Sequence, residues 1–486
     1  MKKIIIIGSG FSSLSAACYL AKGGHRVTVL EKNATIGGRA RQLKRDGFTF
    51  DMGPTWYWMP DIFERFFADF GKKPSDYYQL SKLSPAYDVV FGKDDALRVA
   101  DNLEDIKSMF ESTQPGSAKA LDGFMATARD NYDIAIGDMV YKPGESPLEL
   151  ITTKTATRVG RFLGTISSTV RKRFRDKRLV QLLEFPVLFL GAKPSDTPAF
   201  YSFMNQADFG LGTWHPHGGM FSVVRAMETL ARELGVEIRT SSPVDEIIVS
   251  GSRVKGVSVN GEPLYADVIV TGADYHHSER LLDPKYRMYS EGYWKKKTFA
   301  PSALLFYVGF DKKIQGVSHH TLFFDADFDK HAHDIYDKPA WPKDPLFYAS
   351  FPSVTDDSAA PQGKEAAIFL IPIAPGLDDT ESTREKYFKI IMDRLALHLG
   401  EDITKFITFH QSYCVSDFVK DYNSYGGNAY GLANTLLQTA FLRPRLRSKK
   451  VKGLYFTGQL TVPGPGVPPA LISGKLTSQL IKKYEL

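Results

Sequence analysis

Ile4-Ile5-Ile6-Ile7-Gly8-Ser9-Gly10-Phe11-Ser12-Ser13 is the stretch whose reading decides the fold. Four consecutive β-branched residues predict a strand covered on both faces, the glycine turn ends it, and the small and apolar residues from Ser12 to Ala21 predict a buried helix. Val27 to Leu30 predicts the next strand, so the first 30 residues hold a βαβ unit with its crossover helix. Gly8 permits the tight turn, and Gly10 lets backbone approach a pyrophosphate. The helix that follows directs its free amides and partial positive charge at those phosphates. Ser13 stands at the third glycine position, where a small residue still suits close helix–strand packing.

Working outward, Glu31 closes the second strand 21 residues after Gly10, placed to accept hydrogen bonds from an adenosine ribose. Gly37-Gly38-Arg39 follows, allowing a second close backbone approach and a guanidinium that neutralises phosphate or orders the loop. A domain that binds only a nicotinamide dinucleotide has no need of this doublet, which points to FAD. Near the other end, Gly453 to Thr457 predicts a strand, followed by Gly458 and by Pro463-Gly464-Pro465-Gly466-Val467-Pro468-Pro469 leading into a last helix. A rigid loop of this kind can lay backbone against a flat ring, and a helix N-terminus aimed at the pyrimidine edge of an isoalloxazine would stabilise its reduced anion.

The chain has 486 residues, beyond the size at which one core stops growing, and its 43% apolar and 24% charged content is that of a globular protein. A net charge of +6 is too mild to argue for nucleic acid. Two cysteines, Cys18 and Cys414, do not make a disulfide framework, which suits a cytoplasmic setting. Leu182 to Ala192, the most apolar run, is short and interrupted by Glu184 and Pro186, so no membrane span is expected.

Ser222 to Leu234 predicts a helix and Val236 to Arg239 a strand; Arg253–Val259 and Leu264–Thr271 predict strands joined through Asn260-Gly261. Residues 76–215 carry a mostly helical pattern. Strands are expected at Ala303–Phe310, Thr321–Phe324, Leu346–Phe351 and Ala367–Ile373, and a helix from Ser382, with Glu385 in capping-box spacing, to Leu399. The fold class expected is α/β: a discontinuous Rossmann-type FAD-binding domain (residues 1–75, 216–298 and 440–486) with an inserted α+β substrate domain (76–215 and 299–439) carrying an antiparallel sheet and a helical, membrane-facing part.

These motifs, with Glu31-Lys32, Gly47-Phe48-Thr49-Phe50-Asp51-Met52-Gly53-Pro54-Thr55, the segment from Asn205 through Gly219 and Gln438-Thr439-Ala440-Phe441-Leu442-Arg443-Pro444, resemble the bacterial phytoene desaturase family of carotenoid desaturases, which includes hydroxycarotenoid 3,4-desaturases. The resemblance spans the chain. It implies a desaturase that draws a hydride from a long polyene onto FAD and loses a proton from the neighbouring carbon. The cofactor-binding set expected is Gly8, Ser9, Gly10, Ser12, Ser13, Glu31, Lys32, Gly38, Arg39, Gly53, Pro54, Thr55, Val244, Gly458, Gly466, Val467 and Pro468.

Such a dehydrogenation needs an aligned flavin and a dry channel more than a strong base. No base is assigned: Glu149, Glu184 and Asp208 read better as surface or structural carboxylates. With 33 Phe, 23 Tyr and 5 Trp, aromatic lining is plentiful, and Trp56, Trp58, Phe185 and Phe189 are expected along the channel. Eight basic residues between Arg158 and Arg178, interleaved with Val159, Phe162, Leu163, Ile166, Val170 and Phe174, have the composition of a helix lying on an anionic membrane surface, reinforced by a second cluster from Arg443 to Lys452. The electron acceptor is left open between oxygen and a quinone. The histidine pairs at 215/217, 276/277, 319/320 and 331/333 lack other ligands in metal-site order and read as turn and surface residues, with no metal expected. Two other readings remain: an amine oxidase on the same flavin fold, and a non-catalytic lipid or prenyl carrier.

Overall fold

The computed structural model describes residues 1–137, 139–150 and 164–485. β1 (Lys3–Ile7) lies at the centre of a five-stranded parallel sheet, where its isoleucines are buried by layers on both faces. The strand order is Leu454–Phe456, Val268–Thr271, β1, β2 (Arg26–Leu30) and Glu237–Arg239, so the start, middle and end of the chain all contribute. The crossover helix α1 (Phe11–Lys22) packs against the helix Met220–Glu233 and against the C-terminal helix Val467–Glu485. The second contact is close: a Cβ on Gly474 would stand 2.4 Å from the carbonyl oxygen of Ser12. Ser13 is accommodated from the opposite side, since a Cβ on Gly272 would stand 2.1 Å from Ser13 Oγ. The glycine missing from the third position of the turn is thus supplied by the neighbouring strand end.

Two boundaries differ from the sequence pattern. The run Leu264–Thr271 is two elements: Glu262–Tyr265 pairs antiparallel with Arg253–Val259 through the two-residue turn Asn260-Gly261, and Val268–Thr271 leaves to join β1. Both turn residues have positive φ, 53° and 81°, as a tight hairpin of this hand requires. The helix expected from Ser222 begins at Met220, because the Asp51 carboxylate accepts hydrogen bonds from the amides of Met220 (2.6 Å) and Phe221 (3.1 Å). That cap comes from a residue 169 positions away and leaves no local trace.

Above the parallel sheet stands a seven-stranded sheet in the order Ile407–Tyr413, Ser302–Phe310, Glu365–Ile373, Phe347–Ser350, His320–Phe323, Tyr87–Gly92 and Asp95–Val99. Every neighbouring pair is antiparallel except His320–Phe323 with Tyr87–Gly92. The four expected strands are present, but the region from 76 onward is not purely helical, since it supplies the last two strands. The helix Glu381–Leu399 is capped by Thr380, whose Oγ1 accepts from the Thr383 amide, rather than by Ser382.

The basic stretch 158–178 is not one surface helix in its described part. Residues 158–163 lie outside the described residues; from 164 onward the chain forms the short helix Ile166–Arg171, a break, and the helix Lys177–Glu184. Ile166, Val170 and Phe174 are buried inside the protein. Arg171 is committed to Glu184 and Asp329, and Arg178 to Asp176 and Asp95. In the second cluster Arg443 is likewise buried, donating to the carbonyls of Leu432 and Gln459. Among the described residues no helix is long and apolar enough to cross a membrane.

The histidines require a further correction. His217 and His333 are exposed, but His215, His276, His319, His320 and His331 are buried, His320 completely. His320 opens the upper-sheet strand His320–Phe323 and His319 precedes it, whereas His215 lies in the short strand Trp214–Pro216, His276 in the helix Tyr275–Arg280 and His331 in the helix Phe328–Tyr336, places that a pattern of adjacent pairs does not reveal.

Candidate functional site

Two cavities meet between the sheets. The first, about 490 Å³, runs over the C-terminal ends of the parallel strands. Gly8, Ser9, Gly10 and Ser12 form its floor, with Glu31 and Lys32 at one end beside Val244, Gly38 and Arg39 along its side, and Gly53, Pro54, Gly466 and Val467 at the other end. Four members of the expected set do not border it. Ser13 is buried against Gly272, Gly458 is buried with its amide on Ser473 Oγ (3.0 Å), and Thr55 and Pro468 border the second cavity.

The glycines are there for backbone reasons. Gly8 has φ of 91°, which side chains rarely adopt. A Cβ on Gly53 would stand 2.1 Å from the carbonyl oxygen of Arg39, and one on Gly38 would press on Gly10 Cα at 3.3 Å. The Gly37-Gly38 loop and the Gly8–Gly10 turn therefore lie backbone against backbone. Glu31 fastens them: its Oε2 accepts from Ser9 N (3.0 Å) and Ser9 Oγ (2.7 Å), and its Oε1 from Asn33 N (2.9 Å). The carboxylate thus orders the turn while still bordering the cavity with unfilled lone pairs.

The residues fit a dinucleotide flavin. α1 is preceded by Gly10 as its N-cap, with no side-chain cap on the first turn, and a Cβ placed on Gly10 would meet no atom within 4 Å, so a ligand can approach the start of the helix there. Arg39 donates from Nη2 to Ser424 Oγ (3.0 Å) and lies over the Tyr422 ring, but its Nε is buried with no hydrogen-bond partner. Burial lowers the Arg39 pKa, and it pushes the neighbouring Asp274 carboxyl up while the Arg39 charge pulls it back. Asp274, Ser242, Pro243, Tyr422 and Gln459 also border this cavity and carry no motif by which sequence could have found them.

The second cavity, about 560 Å³, is walled mainly by apolar and aromatic groups, among them Trp56, Trp58, Met59, Phe63, Phe200, Phe203 and Met204. Trp56 and Trp58 meet edge to face, 5.2 Å between centroids. Phe185 does not reach the wall; it is buried behind them, 6.3 Å from each. The side chain of Phe189 lies outside the described residues. Gly53, Pro54, Leu370, Tyr430, Gly466 and Val467 border both cavities, so the two share one wall.

The carboxylates set aside above are accounted for. Glu184 holds Arg171 through two bonds of 3.0 Å, and Glu149 caps its own loop at the amides of Gly144 and Glu145. Asp208 is buried on Tyr87 Oη at 2.7 Å, and burial pushes its carboxyl up to about 8.

The family model for flavin containing amine oxidoreductases matches residues 11–482. A carotenoid 3,4-desaturase of Haloarcula japonica is 43% identical over 482 residues, covering 98% of this chain and 97% of that protein. A 4,4'-diapophytoene desaturase (4,4'-diaponeurosporene-forming) of Staphylococcus aureus is 32% identical over 499 residues, covering 99% of each. Among solved structures, an oxidoreductase from Methanosarcina mazei superposes with a TM-score of 0.65 at 18% identity, covering 98% of this chain and 100% of that one. Putrescine oxidase bound to putrescine gives 0.65 at 14%, covering 99% of each, and these two likenesses show the fold. The chain belongs to the flavin-containing amine oxidoreductase family and, within it, to the carotenoid desaturases.

Proposed function

We propose that this protein desaturates a long C40-type carotenoid, removing two hydrogens from an allylic CH2–CH2 unit, with the 3,4 position the favoured site because the 43% identical relative is a carotenoid 3,4-desaturase. The observation that carries the reading is the shared wall: an apolar cavity suited to a hydrocarbon is bordered by the same Gly53, Pro54, Leu370, Tyr430, Gly466 and Val467 as the cavity suited to FAD. FAD, when bound, supplies a two-electron oxidant. The chain does the rest by placement. Gly8–Gly10, Glu31, Gly38 and Arg39 hold the dinucleotide; Gly53-Pro54 and Gly466-Val467 fix where its ring end meets the second cavity. Trp56, Trp58, Phe63 and Phe203 exclude water and align the polyene, so that the charge developing beside the lost hydride is delocalised along the chain.

A substrate of this kind comes from lipid. Leu437 and Leu442 border the second cavity and are 76% and 40% exposed, with Leu148 nearby in sequence to the bordering Glu149. This mouth, rather than the stretch 158–178, is where a peripheral contact with the inner face of a membrane is proposed. The final electron acceptor is proposed to be oxygen or a quinone, and the division into a flavin domain (1–75, 216–298, 440–486) and a substrate domain (76–215, 299–439) is retained as a proposal.

The test is anaerobic reconstitution of the purified protein with FAD and liposomes carrying either phytoene or a 1-hydroxylated carotenoid. Loss of the flavin visible band together with a red shift of one polyene spectrum is expected. A flavin band that persists with both carotenoids overturns the reading.

A further inference from the structure

We infer that Tyr348 is the catalytic residue that takes the substrate proton, with His320 the positioning residue behind it; this rests on the desaturase reading. Tyr348 is paired directly across the sheet with Leu370, and Leu370 borders both cavities. The Tyr348 ring lines the second cavity. Its hydroxyl lies 2.8 Å from Oγ1 of Thr55, the residue after the shared Gly53-Pro54 wall, and 2.6 Å from Nδ1 of His320. His320 is fully buried, stacked on Trp56 with centroids 4.2 Å apart and planes 8° from parallel. Its Nε2 has no hydrogen-bond partner, a cost that packing alone does not explain.

The step balances as follows. A hydride equivalent leaves one substrate carbon for the oxidised flavin. The C–H bond on the neighbouring carbon then breaks, and its electron pair becomes the new π bond. The released proton binds Tyr348 Oη as the phenolic proton moves to His320 Nδ1, so the pair gains one proton and the histidine becomes an imidazolium. A proton beside an allylic cation is strongly acidic, so a neutral hydroxyl backed by a neutral imidazole suffices as its acceptor. Burial, followed by the neighbouring His215, keeps His320 well below the usual histidine range and therefore neutral beforehand. Burial likewise raises the Tyr348 pKa, so the phenol keeps its proton until the step. His319 lies between His320 (4.4 Å) and His215 (4.6 Å), ring to ring, and His215 Nε2 is 2.9 Å from the Asp356 carboxylate, the cluster's negative charge. Against the upward pull of burial, hydrogen bonds from His215, Ser358 and the Gly218 amide hold Asp356 well below the usual carboxylate range.

The test compares wild type, Tyr348→Phe and His320→Gln, each loaded with FAD. Tyr348→Phe removes one oxygen and is expected to lower kcat at least about 100-fold while KM and flavin content stay within about twofold. His320→Gln is expected to lower kcat at unchanged KM. In flavin-free protein, tryptophan fluorescence should report carotenoid binding equally in wild type and Tyr348→Phe, and the imidazole 15N spectrum of Tyr348→Phe should show one shifted buried histidine. Undiminished kcat in either variant overturns the assignment, as does a raised KM at constant kcat, which would make Tyr348 a wall residue only. An unshifted histidine spectrum also overturns it. A wild-type protein that turns over no carotenoid defeats the desaturase reading, and this inference with it.

Discussion

The two cavities that share a wall are built on opposite principles. The first is made of backbone: glycines at Gly8, Gly38 and Gly53 stand where a Cβ would strain the chain or strike a carbonyl, and a single carboxylate, Glu31, fastens the loops. The second is walled largely by side chains, among them large rings such as Trp56 and Trp58 packed edge to face. A cofactor with phosphates needs amides at fixed positions, which few residues permit, whereas a hydrocarbon needs only shape, which many sets of rings provide. Changes in the first cavity should therefore act as switches and changes in the second as adjustments.

The largest effect is expected from Gly53→Val, whose Cβ must displace the Arg39 carbonyl: flavin affinity should fall at least about 100-fold, roughly 2.7 kcal/mol, in a flavin titration. A variant that binds FAD normally would show this backbone contact to be expendable. Gly272→Ala should destabilise the fold by about 2–3 kcal/mol, since its methyl meets Ser13 Oγ, and Ser13→Gly should recover much of that loss in a denaturant double-mutant cycle. Purely additive losses would separate the two sites. Glu31→Ala should weaken FAD binding by about tenfold, or 1.4 kcal/mol, by releasing Ser9 and Asn33; unchanged affinity removes the carboxylate from the site.

On the hydrocarbon side Asp208 gives a stability effect that depends on pH. Its folded carboxyl is raised to about 8 against an ordinary value near 3.9, so the unfolded chain binds fewer protons between these values, and stability falls as pH rises through that window. Asp208→Asn should flatten this slope, by at most about 1.4 kcal/mol per pH unit, in melts recorded from pH 4 to 8; an identical slope would place the titration elsewhere. The smallest effect belongs to Trp58→Phe, which removes part of one wall and should raise KM for the polyene about fivefold, about 1 kcal/mol, with flavin binding untouched. A loss of flavin instead would mean the halves are not separable.

The same contrast explains what could be read in advance. The βαβ unit, the glycine turns, Glu31 and the loop before the last helix are legible because backbone conformation restricts residue type. Asp274, Ser242 and Tyr422 border the same cavity but arrive through long-range packing, as does the Asp51 cap that starts the helix at Met220. Trp56 and Trp58 could be placed because they follow Gly53-Pro54-Thr55; Phe185 could not be distinguished from a residue one layer deeper. A pattern of adjacent pairs reads the histidines as turn and surface groups, and the burial of His320 escapes it because Tyr87–Gly92 joins its strand from a distant, mostly helical region.

The wall common to both cavities has one further consequence. Gly53, Pro54, Leu370, Tyr430, Gly466 and Val467 can occupy only one arrangement at a time, so any shift that a polyene imposes on them is also imposed on the cofactor's side. By thermodynamic reciprocity, whatever factor the carotenoid contributes to flavin affinity the flavin must return to carotenoid affinity. Substrate supply and cofactor retention in this protein are then a single equilibrium, and a chain starved of one ligand holds the other differently.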